Sequence, residues 1–371
     1  MSYKNLSSKI LIHFIVGARP NFIKLNCLLK LFKKNKKYQT KVIHTGQHNL
    51  KKMSNVFFKS FNISDCDSYF KYKSNTYSQM MSSIMTKYER LIKLQKPNIV
   101  VVFGDVNSTL ACALVAKNNN VPIAHVEAGL RSNDLSMPEE VNRKLVDSIS
   151  DYLFTPSLDA NNNLISEGIS NKKISFVGNV MIDTIMTFEK NIKNSKILKK
   201  FNLKKNEYCL VTFHRPENVD NKKKFENIIN IIKNLSSNID FVFPVHPRTK
   251  NNFSKFINKI SNLEDNNILF CDPLDYFQIQ KLIKEARIII TDSGGIQEES
   301  THYNIPCLTF RKNTERPITI KQGSNILVNE KNINKIFLKE IKQKRKTRKK
   351  IPNWDGKASL RIYKYLNEKF A

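Results

Sequence analysis

Short apolar runs recur along the chain, separated by segments with helical periodicity. Ile10–Val16 is apolar except for one histidine, and an amphipathic stretch follows over residues 21–32. The apolar run returns at residues 41–45, 98–103, 121–127 and 152–155. Residues 98–103 read Asn-Ile-Val-Val-Val-Phe, the near-continuous pattern of a strand buried on both faces. They lead through Gly104-Asp105-Val106-Asn107-Ser108-Thr109 into a helical segment, residues 110–117. Strand–helix–strand repetition of this kind predicts a parallel sheet covered by helices on both faces.

The pattern restarts after a Lys- and Asn-rich stretch, residues 190–206, which reads as a linker. Strands are expected at 208–213, 241–244, 268–270, 288–291 and 307–310, with a helix at 225–235. The fold class is therefore α/β, with two successive open parallel-sheet domains. Sheets of this kind place ligands beyond the carboxyl ends of their strands, here in the cleft expected between the domains. Polar motifs fall at those ends: Gly17-Ala18-Arg19-Pro20, Thr45-Gly46-Gln47-His48, Gly104-Asp105, Glu127-Ala128-Gly129, His214-Arg215 and Ser293-Gly294-Gly295.

The last of these says most. Ile288–Thr291 runs into Asp292-Ser293-Gly294-Gly295, which holds the only adjacent glycine pair in the chain, and a helix with acids near its start follows. Backbone without side chains at a helix N-terminus offers N–H groups and a positive dipole end to an anion such as phosphate. Glu299, about one turn in, has the placement of an acid that accepts from a ribose. An ordinary well-capped turn would read the same way.

Other candidates stand at equivalent positions. Arg19 and Lys24 suit a phosphate or a leaving group, although Arg19 could instead cap carbonyls and Lys24 could be a surface residue. Asp105 ends the most apolar strand of the first half, where a partly desolvated carboxylate becomes a plausible base; capping of the next helix is the alternative. Glu127 has the same placement, and glutamate caps poorly. Pro138-Glu139-Glu140-Val141-Asn142-Arg143 reads as a helix start. On these residues alone, Glu139 and Arg143 form a surface i,i+4 ion pair worth little. His214-Arg215 suits a diphosphate or acid–base work. No His-x-x-x-His or Cys/His ligand spacing points to zinc, and GxGxxG, GxxxxGK[ST] and G-x-S-x-G are all missing from the sequence.

Charge adds less than its size suggests. The formal net charge is +30, but the lysines are spread along all 371 residues among Asn and Ile and are not gathered in a patch. Residues 339–350, the densest basic cluster, read as a solvated helix or linker, and no nucleic-acid partner is expected. Six cysteines without a CxxC pair, several inside apolar runs, read as reduced buried thiols. No segment reads as a secretion signal or a membrane span, so no membrane association is expected and the compartment is read as cytoplasmic.

Taken together and in order, the motifs from Gly17–Lys24 through 45–48, 104–109, 125–131, 137–143, 214–218 and 291–299 to Thr314-Glu315-Arg316-Pro317 resemble those of the non-hydrolysing UDP-N-acetylglucosamine 2-epimerases of bacteria and archaea. The resemblance spans about residues 10–328. It implies two Rossmann-like domains in the glycosyltransferase-B arrangement and inversion at C2 of the sugar without a cofactor. UDP would be eliminated to leave a 2-acetamidoglucal and then re-added. It makes Asp105, Glu127 and Glu139 the acid/base carboxylates. Arg143 would orient Glu139 or the substrate, and His214 would assist the leaving UDP. Arg19, Lys24, Gln47 and His48 would meet the nucleotide sugar. Ser293, Gly294, Gly295 and Glu299 would hold diphosphate and ribose, and Arg316 the nucleotide. The expected boundaries are 1–185, 186–350 and a C-terminal helix in 351–371 packing back on the first domain; a homodimer is also implied. Leu274 and Ile279 depart from the polar and aromatic residues of some members near the uracil. The segments 49–51 and 73–77 do not reproduce the regulatory substrate site of others. Epimerases of modified sugars, such as diacetamido-uronates, share the Gly-Ala-Arg-Pro-Asn-Phe form, and hydrolysing relatives are a further alternative.

Overall fold

A computed structural model describes residues 9–47, 61, 66–74, 76–246, 248–250, 252–253, 267–345 and 350–370. The chain divides into two compact units. Unit 1 is Met1–Thr187 with Pro352–Ala371, and unit 2 is Phe188–Ile351.

Unit 1 is built on a seven-stranded sheet, ordered β3-β2-β1-β4-β5-β6-β7. The strands are β1 (Ile10–Val16), β2 (Tyr38–His44), β3 (Ser68–Tyr69), β4 (Ile99–Phe103), β5 (Ile123–Val126), β6 (Tyr152–Thr155) and β7 (Ile174–Phe176). Every pairing is parallel. All five residues of β4 are buried, which explains its unbroken apolar sequence. Because β4 pairs with β1 while β2 lies on β1's other edge, chain direction across the sheet reverses at the β1/β4 boundary. Flanking loops diverge at such a switch point and leave a crevice beyond the strand ends.

Unit 2 repeats the plan with six parallel strands, ordered β10-β9-β8-β11-β12-β13. They are β8 (Tyr208–Thr212), β9 (Asp240–Pro244), β10 (Ile268–Cys271), β11 (Ile288–Thr291), β12 (Cys307–Phe310) and β13 (Asn325–Val328). Its switch point lies between β8 and β11, which run in register with Thr212 opposite Thr291.

Several expectations change. The stretch 190–206 is no open linker: Glu189–Asn194 and Ile197–Lys200 are helical, and Ile192 and Ile197 are buried. The surrounding lysines hid two short anchors whose apolar residues are too few to show a period. Strands β3, β7 and β13 were not anticipated; each is only two to four residues long and lies in the outer half of its sheet, away from the switch point. The helix after β1 begins at Arg19, earlier than residue 21. Acids do not occupy the first turn of Gly294–His302; that turn is Gly294-Gly295-Ile296.

The last helix, Ala358–Lys369, lies on unit 1. Trp354 Nε1 donates to the Pro156 carbonyl at 2.9 Å, and Tyr38 Oη donates to Asn367 at 2.8 Å. Gly178, at φ +91, lies so close to the Asn353 backbone that a Cβ there would overlap the Asn353 carbonyl. Gly178→Ala should therefore cost roughly 1–3 kcal/mol, combining left-handed strain with a backbone overlap that cannot yield cheaply. Urea unfolding checks this; an unchanged midpoint would contradict it.

Candidate active site

In unit 1, three strand-end turns meet at the switch point. The helix Arg19–Lys34 starts directly after β1, and Asn21 caps it by accepting from the Gly17 and Ala18 amides at 3.1 and 2.9 Å. The same side chain donates to the Phe103 carbonyl at 3.1 Å and so ties the end of β1 to the end of β4. Gly17 is required by space, since a Cβ there would lie 2.6 Å from Ser108 Cβ and 2.7 Å from Thr45 Oγ1. Arg19 is half-buried at the helix start, and Lys24, one turn on, is buried.

Lys24 reaches Glu127. Its Nζ lies 2.5 Å from the Glu127 carboxylate, with side chains 6% and 5% exposed. Gly104, at φ +59, makes the room: a Cβ there would lie 2.8 Å from Lys24 Nζ. Glu127 is itself left-handed at φ +71, a conformation that costs a non-glycine residue of order 1–3 kcal/mol. Both its amide and that of Ala128 donate to the single carbonyl of Phe154, at 3.0 and 3.1 Å. The turn thus aims a carboxylate away from the sheet at the end of β5.

Asp105 sits on the neighbouring turn. Its carboxylate lies 2.6 Å from Arg143, whose other guanidinium nitrogen is 2.5 Å from Glu140. Asn142 donates to the Asp105 carbonyl at 2.8 Å and to Asn107 at 3.0 Å. Glu140 accepts the Ser132 and Asn133 amides at 2.9 Å each. The surface pairing of Arg143 with Glu139 is therefore corrected: Arg143 is buried and held by Glu140, three residues before it, and by Asp105 on the turn after β4. Glu139 lies exposed one position before Glu140. Asp105 does not cap the next helix, whose cap position is Val106; Gln47 serves there, accepting from Ser108 N at 2.9 Å and Ser108 Oγ at 2.7 Å. His48 lies outside the described residues.

Beneath these turns runs a buried chain of charge. Asp147 lies 2.7 Å from His125 Nδ1 and 2.7 Å from Arg131, which forms a forked pair with Glu167 at 2.6 and 2.8 Å. That hydrogen bond from Arg131, reinforced by Lys144, holds the Glu167 carboxyl down to about 2 despite partial burial.

In unit 2 the equivalent turns converge on Asp292, which follows β11 and is fully buried. It accepts from His214 N at 3.1 Å, Arg215 N at 3.0 Å and Asn218 Nδ2 at 3.0 Å, and His214 Nδ1 lies 3.2 Å away. Burial pushes its carboxyl up, but the bonds from His214, Asn218 and Arg215 outweigh this and hold it below the usual range. One carboxylate therefore shapes the His214-Arg215 turn. The His214 side chain is 40% exposed. Three guanidinium groups gather beside it: Glu315 pairs with Arg215 at 3.3 Å, Arg311 at 2.6 Å and Arg316 at 2.5 Å, and Arg316 also meets Glu298 at 3.1 Å. A Cβ on Gly294 would lie 2.5 Å from Arg316, so the helix start carries bare backbone beside these cations. Ser293 and Gly295 are half-buried in the same turn, and Glu299 is buried one turn on. Leu274 and Ile279 pack on the apolar cluster of unit 2.

Of the residues expected at the site, the structure pairs Lys24 with Glu127 and Arg143 with Asp105, and Asp292 links His214 to the turn that begins at Ser293. Asp292, Arg311, Glu315, Glu140 and the His125–Asp147 pair were not expected as parts of the sites. Asp292 carried a usable signal, a carboxylate directly after the buried strand Ile-Ile-Ile-Thr, much as Asp105 follows β4 by one glycine.

Two parallel sheets, each with charged turns at its switch point, are matched by known proteins. The model of the family described as UDP-N-acetylglucosamine 2-epimerase matches residues 30–367. The chain belongs to that family. It is accordingly an enzyme, an epimerase. UDP-N-acetylglucosamine 2-epimerase of Methanocaldococcus jannaschii is 39% identical over 357 residues, 95% of this chain and 97% of the relative. The UDP-2,3-diacetamido-2,3-dideoxy-D-glucuronate 2-epimerase of Pseudomonas aeruginosa is 36% identical over 316 residues, 85% of this chain and 87% of the relative. A crystal structure of the M. jannaschii UDP-GlcNAc 2-epimerase in complex with UDP-GlcNAc and UDP superposes with a TM-score of 0.89 at 38% identity, covering 96% of this chain and 99% of that one.

A pH prediction follows for unit 1. Glu167 has a depressed folded value, so its pairing stabilises the protein fully above the ordinary value of 4.5 and is lost as pH falls toward about 2. Glu167→Gln should flatten the stability-against-pH curve between those limits, measured by thermal unfolding. An unchanged acid limb would contradict the pairing.

Proposed function

We propose that this epimerase acts on UDP-N-acetylglucosamine, interconverting it with UDP-N-acetylmannosamine by elimination and re-addition of UDP. The observation that carries the reading is the pairing of a nearly buried carboxylate, Glu127, with Lys24 beside a second carboxylate, Asp105, held by Arg143. A base takes the C2 proton, the C–H electron pair forms the C1=C2 bond, and the C1–O bond breaks with its electrons leaving on UDP. Return of UDP to C1 and of a proton to C2 from the opposite face gives the epimer. Asp105, Glu127 and Glu139 are the candidate proton carriers, and Arg143 fixes Asp105.

Unit 2 would bind the diphosphate that leaves and returns. Arg215, Arg316 and the bare amides at Gly294 and Gly295 supply positive charge where oxyanions develop, with His214 beside them. Glu299 would take the ribose, and Arg19 the nucleotide sugar. The formal charge of +30 favours an anionic substrate. No helix among the described residues is long and apolar enough to cross a membrane, and the six cysteines are free thiols. The compartment we propose is the cytoplasm, and the family resemblance suggests a homodimer that supplies surface-polysaccharide precursors.

The relation to the diacetamido-glucuronate epimerase makes that sugar class the second reading. Incubation with UDP-N-acetylglucosamine in deuterated water should place deuterium at C2 of both epimers without stoichiometric release of free sugar. Asp105→Asn and Glu127→Gln should each slow exchange by about 10²–10⁴-fold. Absence of exchange with this sugar and with diacetamido analogues would overturn the reading.

A further inference from the structure

Nothing in the proton transfers described above uses His125 and Asp147, yet both are fully buried in the floor beneath the unit 1 turns. His125 is the third residue of β5, two positions before Glu127. Its ring nitrogens are both engaged. Nδ1 is 2.7 Å from Asp147 Oδ1, and Nε2 is 2.8 Å from the carbonyl oxygen of Gly104. A carbonyl accepts only, so Nε2 carries a hydrogen. Asp147 Oδ2 lies 2.7 Å from Arg131 and accepts the Gly129 amide at 3.1 Å, which leaves Oδ1 to face Nδ1. The ring is thus a buried strut between a helix residue and a turn carbonyl.

The turns that this strut joins are the two that contain the candidate carboxylates. Gly104, at φ +59, precedes Asp105, and Gly129, at φ +80, follows Glu127 by two residues. Asp147 therefore reaches Gly104 through His125 and reaches Gly129 directly. Glu127 stands between those anchors at φ +71, where a non-glycine residue persists only if its surroundings over-determine it. The helix that carries Asp147, Pro138–Ile149, also carries Arg143 and Asn142, which hold Asp105.

We propose that the His125–Asp147 pair is a positioning device for the reaction. It holds the Gly104 carbonyl and the Gly129 amide so that Glu127 keeps its left-handed backbone and its carboxylate stays aimed beside Asp105. This assignment rests on the epimerase reading for its kinetic test. Neither residue touches substrate; both act through Glu127.

Double-mutant kinetics test it. Asp147→Asn and His125→Gln should each lower kcat by about 10- to 100-fold, the cost of misplacing a reacting group by a fraction of an ångström to one ångström, while KM moves less than about 3-fold. In a Glu127→Gln background the same changes should cost less than about 3-fold more, because the group they position is already disabled. Costs that multiply fully on Glu127→Gln, or a rise in KM with kcat unchanged, would overturn the proposal. His125→Gln leaves Arg131 and Gly129 on Asp147, so it remains informative if Asp147→Asn fails to fold. A substrate-free readout separates this from failure of the functional reading. Amide hydrogen exchange over residues 126–129 should speed by more than about 10-fold in Asp147→Asn and His125→Gln, and unchanged protection would overturn the strut even in a protein with no C2 exchange.

Discussion

A carboxylate taken out of water must collect donors, and both units of this protein are organised by that requirement. Glu127 finds Lys24, Asp147 finds His125 and Arg131, Glu140 finds two amides and Arg143, and Asp292 finds two amides and Asn218. Each acid stands at the carboxyl end of a parallel strand or on the helix packed beside it. Parallel strands leave their last amides and carbonyls without ladder partners there, so side chains and turns must satisfy them. The acids therefore fix the loops as firmly as the apolar strands fix the sheet. Turn geometry follows from acid placement, and of these acids only Glu127 is a proposed proton carrier.

The cost is visible in the backbone. Gly104 and Gly129 take left-handed angles easily, but Glu127 does so at φ +71 with a side chain attached. Strain at a residue of this kind is retained where geometry matters more than local energy. Lys24 supplies part of the compensation, and the two amides donated to Phe154 supply another part. In unit 2, Asp292 collects two main-chain amides and Asn218 instead of a lysine, and the Arg215 and Arg316 guanidinium groups stay near the glycine turn.

Much of this was legible in the sequence because parallel strands buried on both faces write themselves as unbroken apolar runs. Ile288–Thr291, Tyr152–Thr155 and Cys307–Phe310 have the observed limits, and the polar motifs at strand ends marked the turns. Three kinds of information were not local. Outer strands such as Ile174–Phe176 are too short to carry a pattern. The choice between Glu139 and Glu140 as the partner of Arg143 depends on which face of one helix turn meets Ser132, and no spacing rule decides it. The convergence of Arg215, Arg311 and Arg316 on Glu315 joins residues up to a hundred positions apart and appears only when β8, β11 and β12 lie side by side.

In the reaction proposed, the C1–oxygen bond of the nucleotide sugar breaks and re-forms while unit 2 keeps the diphosphate. Positional isotope exchange tests it most directly. UDP-N-acetylglucosamine carrying oxygen-18 in the bridge between C1 and the β-phosphorus is incubated with the enzyme, and the label is located by phosphorus NMR. The label should spread from the bridge into the non-bridging β-phosphate oxygens as epimer forms. A label that stays in the bridge through many turnovers would contradict it.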